Sequence, residues 1–172
     1  MKLIVAVDEN WGIGRDGDQP FYIPEDLRRF GDLTMHRVVV MGRVTLNALP
    51  GGLPLKNRIN IVISRGGVFV RDVVACSSLD QLAEYARRYN GDDVFVIGGQ
   101  QIYEMLLDYC EYAYVTKIFA VAEADRTFPN LDAMENWELV SQTERKSHEG
   151  LEFCFCEYRN LRPQLLTPNK GL

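Results

Sequence analysis

Val94-Phe95-Val96-Ile97-Gly98-Gly99-Gln100-Gln101-Ile102-Tyr103 is an apolar run that stops at two adjacent glycines and continues at once with helical spacing. A run this short, apolar and closed by glycine reads as a buried strand, and paired glycines let a backbone approach closely. The helix that opens there offers unpaired N–H groups and the positive end of its dipole, which together cradle a phosphate. An ordinary tight strand-to-helix turn has the same pattern. The logic recurs upstream, where Val38–Met41 is followed by Gly42-Arg43-Val44-Thr45, with an arginine and a hydroxyl in the first helical turn. That stretch also reads as a capped surface helix with a solvated arginine. Two strand–glycine–helix junctions in one small chain make a bridging dinucleotide a better reading than either junction alone.

Outward from these junctions, short apolar runs alternate with amphipathic stretches, the pattern of an α/β sheet. Strands are predicted at Lys2–Val7, Val38–Met41, Ile59–Ser64, Val73–Ala75, Val94–Ile97, Tyr112–Phe119, Glu138–Glu144 and Leu151–Tyr158. Helices are predicted at Pro24–Leu33, Arg43–Leu49, Leu79–Tyr89 and Gln100–Asp108. Helices separate the early strands, while the last three strands follow one another. The implied fold is α/β: a mainly parallel eight-stranded sheet with an antiparallel C-terminal hairpin and four flanking helices. At 172 residues the chain is one domain. From Leu161 the tail has two prolines and no period, and is expected to be poorly ordered.

Hydrophobic residues at 47% and charged residues at 25% exclude a disordered or fibrous chain. No apolar run reaches bilayer length, and the chain enters a strand-like stretch at Leu3 without a signal-peptide pattern, so a cytoplasmic protein without a membrane partner is expected. The net charge of −5 argues against a general nucleic-acid binder. Acids are nevertheless absent between Asp32 and Asp72, a segment that holds Arg37, Arg43, Lys56, Arg58, Arg65 and Arg71. Such a gap fits a local site for an anionic small molecule, and equally a chance cluster on a solvated surface. Cys76, Cys110, Cys154 and Cys156 lack metal-ligand spacing and read as buried thiols; with His36 and His148 unpartnered in sequence, no metal is expected.

Gly12, Gly14 and Gly17 spell a Gly-x-Gly-x-x-Gly fingerprint, but Asp16, Asp18, Pro20 and Pro24 follow and prevent the immediate helix that a dinucleotide site needs. The segment describes a flexible loop that can close over a site. Beyond it, Pro24 opens a helix whose stripe is Ile23, Leu27 and Phe30, with Asp26 at the stripe's edge. Acids favour a first helical turn for the dipole alone, and Glu25 fits that account. Asp26 lies against apolar neighbours, where a carboxylate seeks a two-point, charge-assisted bond to an amidine-like edge.

Taken in order, these stretches resemble the dihydrofolate reductase family over about Met1 to Asn160. The resemblance rests on Ala6-Val7-Asp8 with Gly12-Ile13-Gly14; on the run from Pro20 through Pro24, Asp26 and Leu27 to Phe30; and on Met41-Gly42-Arg43-x-Thr45. It continues through Pro54-Leu55-Lys56-Asn57-Arg58-Ile59-Asn60, Ile63-Ser64-Arg65, Val96-Ile97-Gly98-Gly99-x-x-Ile102-Tyr103 and Ala124-Asp125-x-x-Phe128-Pro129. The order and spacing are specific where the single motifs are not.

The resemblance implies NADPH-dependent reduction of 7,8-dihydrofolate, with antifolates as further ligands and a monomeric protein. It makes Asp26 the group that binds the pterin 2-amino and N3 positions and raises the basicity of N5, with Thr116 joined to it by a hydrogen bond. Phe30, Leu49 and Leu55 would clasp the pterin and aminobenzoyl rings, lined also by Ile4, Val5 and Leu27, and Arg58 would grip the glutamate α-carboxylate. Arg43, Thr45, Ser64 and Arg65 would hold the NADPH phosphates, the 2′-phosphate included. Gly98 and Gly99 would take the pyrophosphate, and Tyr103 would stand beside the nicotinamide. Ala6, Ile13, Gly14, Gln19, Gly42 and Val44 would complete the cofactor site with Ile97, Gln100, Gln101 and Ile102. The Gly12–Gln19 loop would be the lid.

Four positions depart from the family pattern. Phe21 replaces a usual Trp and removes an indole N–H donor, and Gln19 replaces a large apolar residue over the nicotinamide. Val44 stands where a basic residue is common, which weakens the phosphate clamp and leaves more of it to Arg43 and Arg65, and Arg126 replaces the usual Thr. Two rivals share this ground: a riboflavin-pathway pyrimidine reductase on the same fold, which would not need Asp26, Phe30 and Arg58 together, and a non-catalytic pterin- or nucleotide-binding protein.

Overall fold

In a computed structural model of the chain, which describes residues 1–15, 19–66 and 71–168, all eight expected strands join one sheet. The strands in chain order are β1 (Lys2–Val7), β2 (Gly12–Gly14), β3 (Val38–Gly42), β4 (Ile59–Ile63), β5 (Val73–Cys76), β6 (Val94–Gly98), β7 (Tyr112–Ile118), β8 (Arg126–Thr127), β9 (Trp137–Gln142), β10 (Lys146–His148) and β11 (Leu151–Asn160). The short strands β2, β8 and β10 are additions to the expected set. The helices are α1 (Pro24–Thr34), α2 (Arg43–Ala48), α3 (Leu79–Ala86) and α4 (Gln100–Leu106). Two of them end before their periodicity does. After α3 the chain tightens into i→i+3 bonds, with Arg88 N donating to Tyr85 O and Tyr89 N to Ala86 O. After α4 it enters a 3₁₀ turn at Leu107–Tyr109.

The sheet order is β10-β11-β7-β1-β6-β3-β4-β5, with β9 also paired to β11. From β5 to β7 every neighbouring pair is parallel, and β11 is antiparallel to β7. The expected C-terminal hairpin is split. Both β9 and β10 lie along one edge of β11, pairing at Gln142↔Cys156 and at Lys146↔Phe153. Thr143 bridges the break, its N donating to Phe155 O and its Oγ1 accepting from Phe155 N. The β10–β11 turn has φ 49° at Glu149 and φ 83° at Gly150, the doubly left-handed turn that matches strand twist. Nothing lies within 4 Å of a Cβ at Gly150, so Gly150→Ala is expected to cost only its backbone strain, about 1 kcal/mol, in a urea-unfolding comparison.

Strand alternation sorts the core onto two faces. Leu3, Val5, Val40, Val94 and Val96 pack with Leu82 of α3 and with Ile102, Tyr103 and Leu106 of α4. Ile4, Val39, Met41, Phe95 and Ile97 face the other way, toward Phe30 of α1 and Leu46 of α2. Each central strand is therefore apolar at nearly every position, which is why the runs read as continuous rather than alternating. All four cysteines are buried free thiols, with Cys154 and Cys156 Sγ 3.7 Å apart on one face of β11.

The Gly-x-Gly-x-x-Gly stretch opens no helix. Gly12–Gly14 instead pairs with Arg126–Thr127, and Asp8 holds its start by accepting from Asn10 N, Gly12 N and Ala122 N. Gly17 and residues 16–18 of the expected lid lie outside the described residues. In the expected tail, Leu161 N donates to Asn136 O, Gln164 N donates to Asp108 O, and Leu166 packs on the core; residues 169–172 lie outside the described residues.

Candidate active site

The parallel strands all end at one edge of the sheet. There β1 leaves through α1 toward β3, while its neighbour β6 leaves through α4 toward β7. Connections that diverge to opposite faces leave a crevice at the strand ends. Here it is a cleft of about 1370 Å³, larger than the roughly 300–1000 Å³ of a single small-ligand site.

Asp26 lies in the first turn of α1, which begins with Pro24 at its start and Leu27 N donating to Ile23 O. Its carboxylate faces the cleft and accepts from the Thr116 hydroxyl at 2.5 Å. Thr116 is fully buried on β7, ninety positions away in sequence. Burial pushes the Asp26 carboxyl above its usual range, opposed by the Thr116 hydrogen bond and by the Arg29 charge. Ile4, Val5 and Ala6 at the end of β1 form the adjoining wall, with Leu27, Phe30 and Leu49.

Leu55 and Arg58 do not line the cleft itself. Leu55 packs with the Phe30 and Leu49 cluster, its segment pinned by the buried Asn60, whose side chain bonds both Leu55 N and Leu55 O. Arg58 is clamped to the C-terminal half of α1, its Nη2 donating to Thr34 Oγ1 at 3.3 Å and to Gly31 O at 3.4 Å. Burial lowers its pKa from the ordinary arginine value. A cation so held is pre-aimed.

Toward its other end the cleft is lined by Gly42, Arg43, Val44 and Thr45 from the β3–α2 junction, and by Ser64 and Arg65 after β4. Ile97, Gly99, Gln100, Gln101, Ile102 and Tyr103 line it from the β6–α4 junction, and Ile13, Gly14 and Gln19 from the loop after β1. Of the acid-free segment, Arg43 and Arg65 thus reach the cleft, while Arg37 pairs with Asp93 elsewhere. Val44 is 71% exposed and turns mainly to solvent. The Gln100 side chain is committed to structure, accepting from Thr127 N and donating to Glu104.

Gly98 stands behind the wall. Its φ is +109°, and a Cβ there would meet Tyr103 Cε2 at 2.8 Å. Tyr103 in turn donates its hydroxyl to Ile4 O at 2.7 Å, which ties α4 to β1 across the cleft floor. Burial drives that phenol far above its usual pKa. Tyr103→Phe leaves the buried Ile4 carbonyl without this donor and is expected to cost about 1–2 kcal/mol by chemical denaturation.

Residues with no expected role in the site also line the cleft, among them Ile63, Ser77, Ser78, Asp125 and Arg126. Ser77 and Ser78 form a third strand-to-helix junction, between β5 and α3, where Ser78 Oγ caps Gln81 N at 3.2 Å. The signal is the same as at Gly42 and Gly98, but without glycine it reads as a plain helix cap.

The same arrangement is known elsewhere. A sequence profile described as dihydrofolate reductase matches residues 1–160, the span of the whole sheet. The dihydrofolate reductase of Bacillus subtilis is 35% identical over 165 residues, covering 93% of this chain and 95% of its own. That of Schistosoma mansoni is 33% identical over 181 residues, covering 92% and 95%. Among solved structures, dihydrofolate reductase from Enterococcus faecalis complexed with NADP(H) and RAB-propyl superposes with a TM-score of 0.82 at 31% identity, covering 92% of this chain and 95% of that one. With fold and sequence matched over nearly their full length, the chain belongs to the dihydrofolate reductase family.

Proposed function

We propose that the chain reduces 7,8-dihydrofolate to 5,6,7,8-tetrahydrofolate with NADPH. The observation that carries this reading is a half-buried carboxylate, Asp26, held by Thr116 at the end of a cleft whose other end presents Arg43 and Arg65. The cofactor fits the residues present. At Gly42 a Cβ would stand 3.0 Å from Ile102, and at Gly99 3.4 Å from Thr45 Oγ1, so glycine keeps both junctions narrow enough for backbone to meet a pyrophosphate. Arg43, Thr45, Ser64 and Arg65 would hold its phosphates, and Tyr103 would back the nicotinamide end. When bound, NADPH supplies the hydride that C6 of the pterin accepts.

The protein's own part is binding, orientation and charge. Asp26 accepts two hydrogen bonds from the pterin 2-amino and N3 edge, and the Thr116 bond fixes the carboxylate plane that receives them. An ionised Asp26 favours a protonated pterin. Phe30, Leu49 and Leu55 exclude water around the ring, and Arg58 takes the glutamate α-carboxylate. The N5 proton is taken from water, with Asp26 acting through charge. Antifolates of the same amidine-like edge would bind the same carboxylate. We place the protein in the cytoplasm as a monomer; no helix among the described residues is long and apolar enough to cross a membrane.

The pyrimidine-reductase and non-catalytic readings gain no support from a site in which Asp26 and Phe30 converge with Arg58 at the far end of α1. Absorbance loss of NADPH on adding dihydrofolate, run beside NADH and a blank, tests the function. Substrate-dependent loss favouring NADPH is expected. Binding of both ligands without turnover would replace it with the non-catalytic reading.

A further inference from the structure

Three residues after Asp26, and so on the same side of α1, Arg29 turns its guanidinium onto the sheet. Its Cζ lies 4.5 Å from the ring centre of Phe155 and 5.6 Å from that of Tyr114. Phe155 is the register partner of Thr116, the residue that donates to Asp26. The cation therefore rests on an aromatic floor next to the Thr116–Asp26 pair, outside the cleft lining. Among the described residues its Nη1 is buried without an acceptor. A desolvated charge with an unmet donor costs stability and acts on neighbouring charges with little screening.

We propose that Arg29 is a positioning residue for the reduction: its charge acts through Asp26 and sets the pH above which Asp26 and the bound pterin together lose their proton. The inference rests on the role given to Asp26 above. Asp26 and the pterin N5 interact through charge, so the proton that N5 takes from water is lost in a titration that belongs to the pair. A fixed cation beside the pair disfavours that proton, so the reactive complex is lost at a lower pH than it would be without the cation. Burial raises the Asp26 carboxyl and Arg29 opposes the rise, in keeping with that sign. The other charged or titratable groups around Arg29 are Tyr114 on β7 and Cys156 and Glu157 on β11. Lys146 of β10 stands 5.3 Å from the Phe155 ring and is paired with Glu25. From α4, the Tyr103 phenol lies within electrostatic reach of Asp26.

The test is the pH profile of kcat/KM for dihydrofolate at saturating NADPH, for the parent, Arg29→Met, Arg29→Lys and Glu157→Gln. In Arg29→Met the alkaline limb is expected to move to higher pH, so that activity at about pH 9 relative to about pH 6 rises several-fold. Arg29→Lys should restore the parent profile. Glu157→Gln removes an anion that offsets Arg29 and should move the limb the opposite way, which keeps the proposal open to refutation if Arg29→Met does not fold. An unmoved limb in folded Arg29→Met, or a Lys variant that behaves like Met, overturns it. If the parent does not turn over at all, the functional reading fails instead; carboxyl-carbon NMR of Asp26 in the ligand-free protein then decides the Arg29 effect alone, with a higher titration midpoint expected in Arg29→Met and an equal one overturning it.

Discussion

Asp26→Asn is expected to lower turnover near neutral pH by about 100-fold or more, the range for loss of a preorganised electrostatic group, while NADPH binding stays close to that of the parent. The asparagine still accepts from Thr116 but carries no charge to favour a protonated pterin. Stopped-flow NADPH oxidation across pH checks this, with cofactor fluorescence as the binding control. Residual activity should climb as pH falls, because a pterin no longer favoured by the carboxylate charge gains its proton only at lower pH. Equal activity at neutral pH would remove Asp26 from the mechanism. The same variant makes an opposite prediction for stability. Folding raises the Asp26 pKa above its ordinary value of 3.8, so the parent loses stability as pH rises from there through the higher folded value. Asparagine has no such loss. The ligand-free variant should melt higher than the parent at neutral pH, and the two should converge below the ordinary carboxylate range.

Gly98→Ala is expected to cost about 2–4 kcal/mol, from a left-handed φ and an overpacked wall together. With φ at +109°, an alanine is strained before packing is considered, and its Cβ would stand 2.8–3.1 Å from the Tyr103 ring and hydroxyl. Tyr103 cannot retreat without giving up its bond to Ile4 O, so the damage reaches β1 and the floor of the cleft. Urea-unfolding midpoints measure the loss, and NADPH affinity should fall with it. Gly99→Ala is the control. Its φ is −83°, and a Cβ there would meet only Thr45 Oγ1, at 3.4 Å. It should remain within about 1 kcal/mol of the parent in stability and show its effect on cofactor binding. Similar destabilisation in both variants would mean that the Tyr103 contact does not govern the junction.

Much of the site is legible in the order of residues alone. Gly42 and Gly98–Gly99 are legible as junctions because a strand end, a glycine and a helix start are contiguous, and only their pairing in one chain favours a dinucleotide over an ordinary tight turn. Spacing places Asp26 on the apolar edge of its helix, and the cleft indeed receives it there. The Gly12–Gly14 stretch is recognisable as a false fingerprint because prolines forbid the helix that a true one requires. The edges are less legible. The break between β9 and β10 depends on Thr143 bonding to Phe155 across the pair, which no property of residues 143–145 announces. Ser77 and Ser78 have the pattern of a cap and are also cleft wall.

The order of apolar runs, their glycine ends and the helical periods between them are enough to specify a parallel sheet with its junctions at one edge, since these are features of neighbours in sequence. The partners of Asp26 are not specified in that way. Thr116 reaches it from β7, and Arg29 gains its place only because Tyr114 and Phe155 meet side by side where β7 pairs with β11. Burial, the Thr116 bond and the Arg29 charge set the proton affinity of the carboxylate, and all three depend on through-space distances that the fold creates. A residue type says that a group can ionise; the packing around it decides at what pH it does.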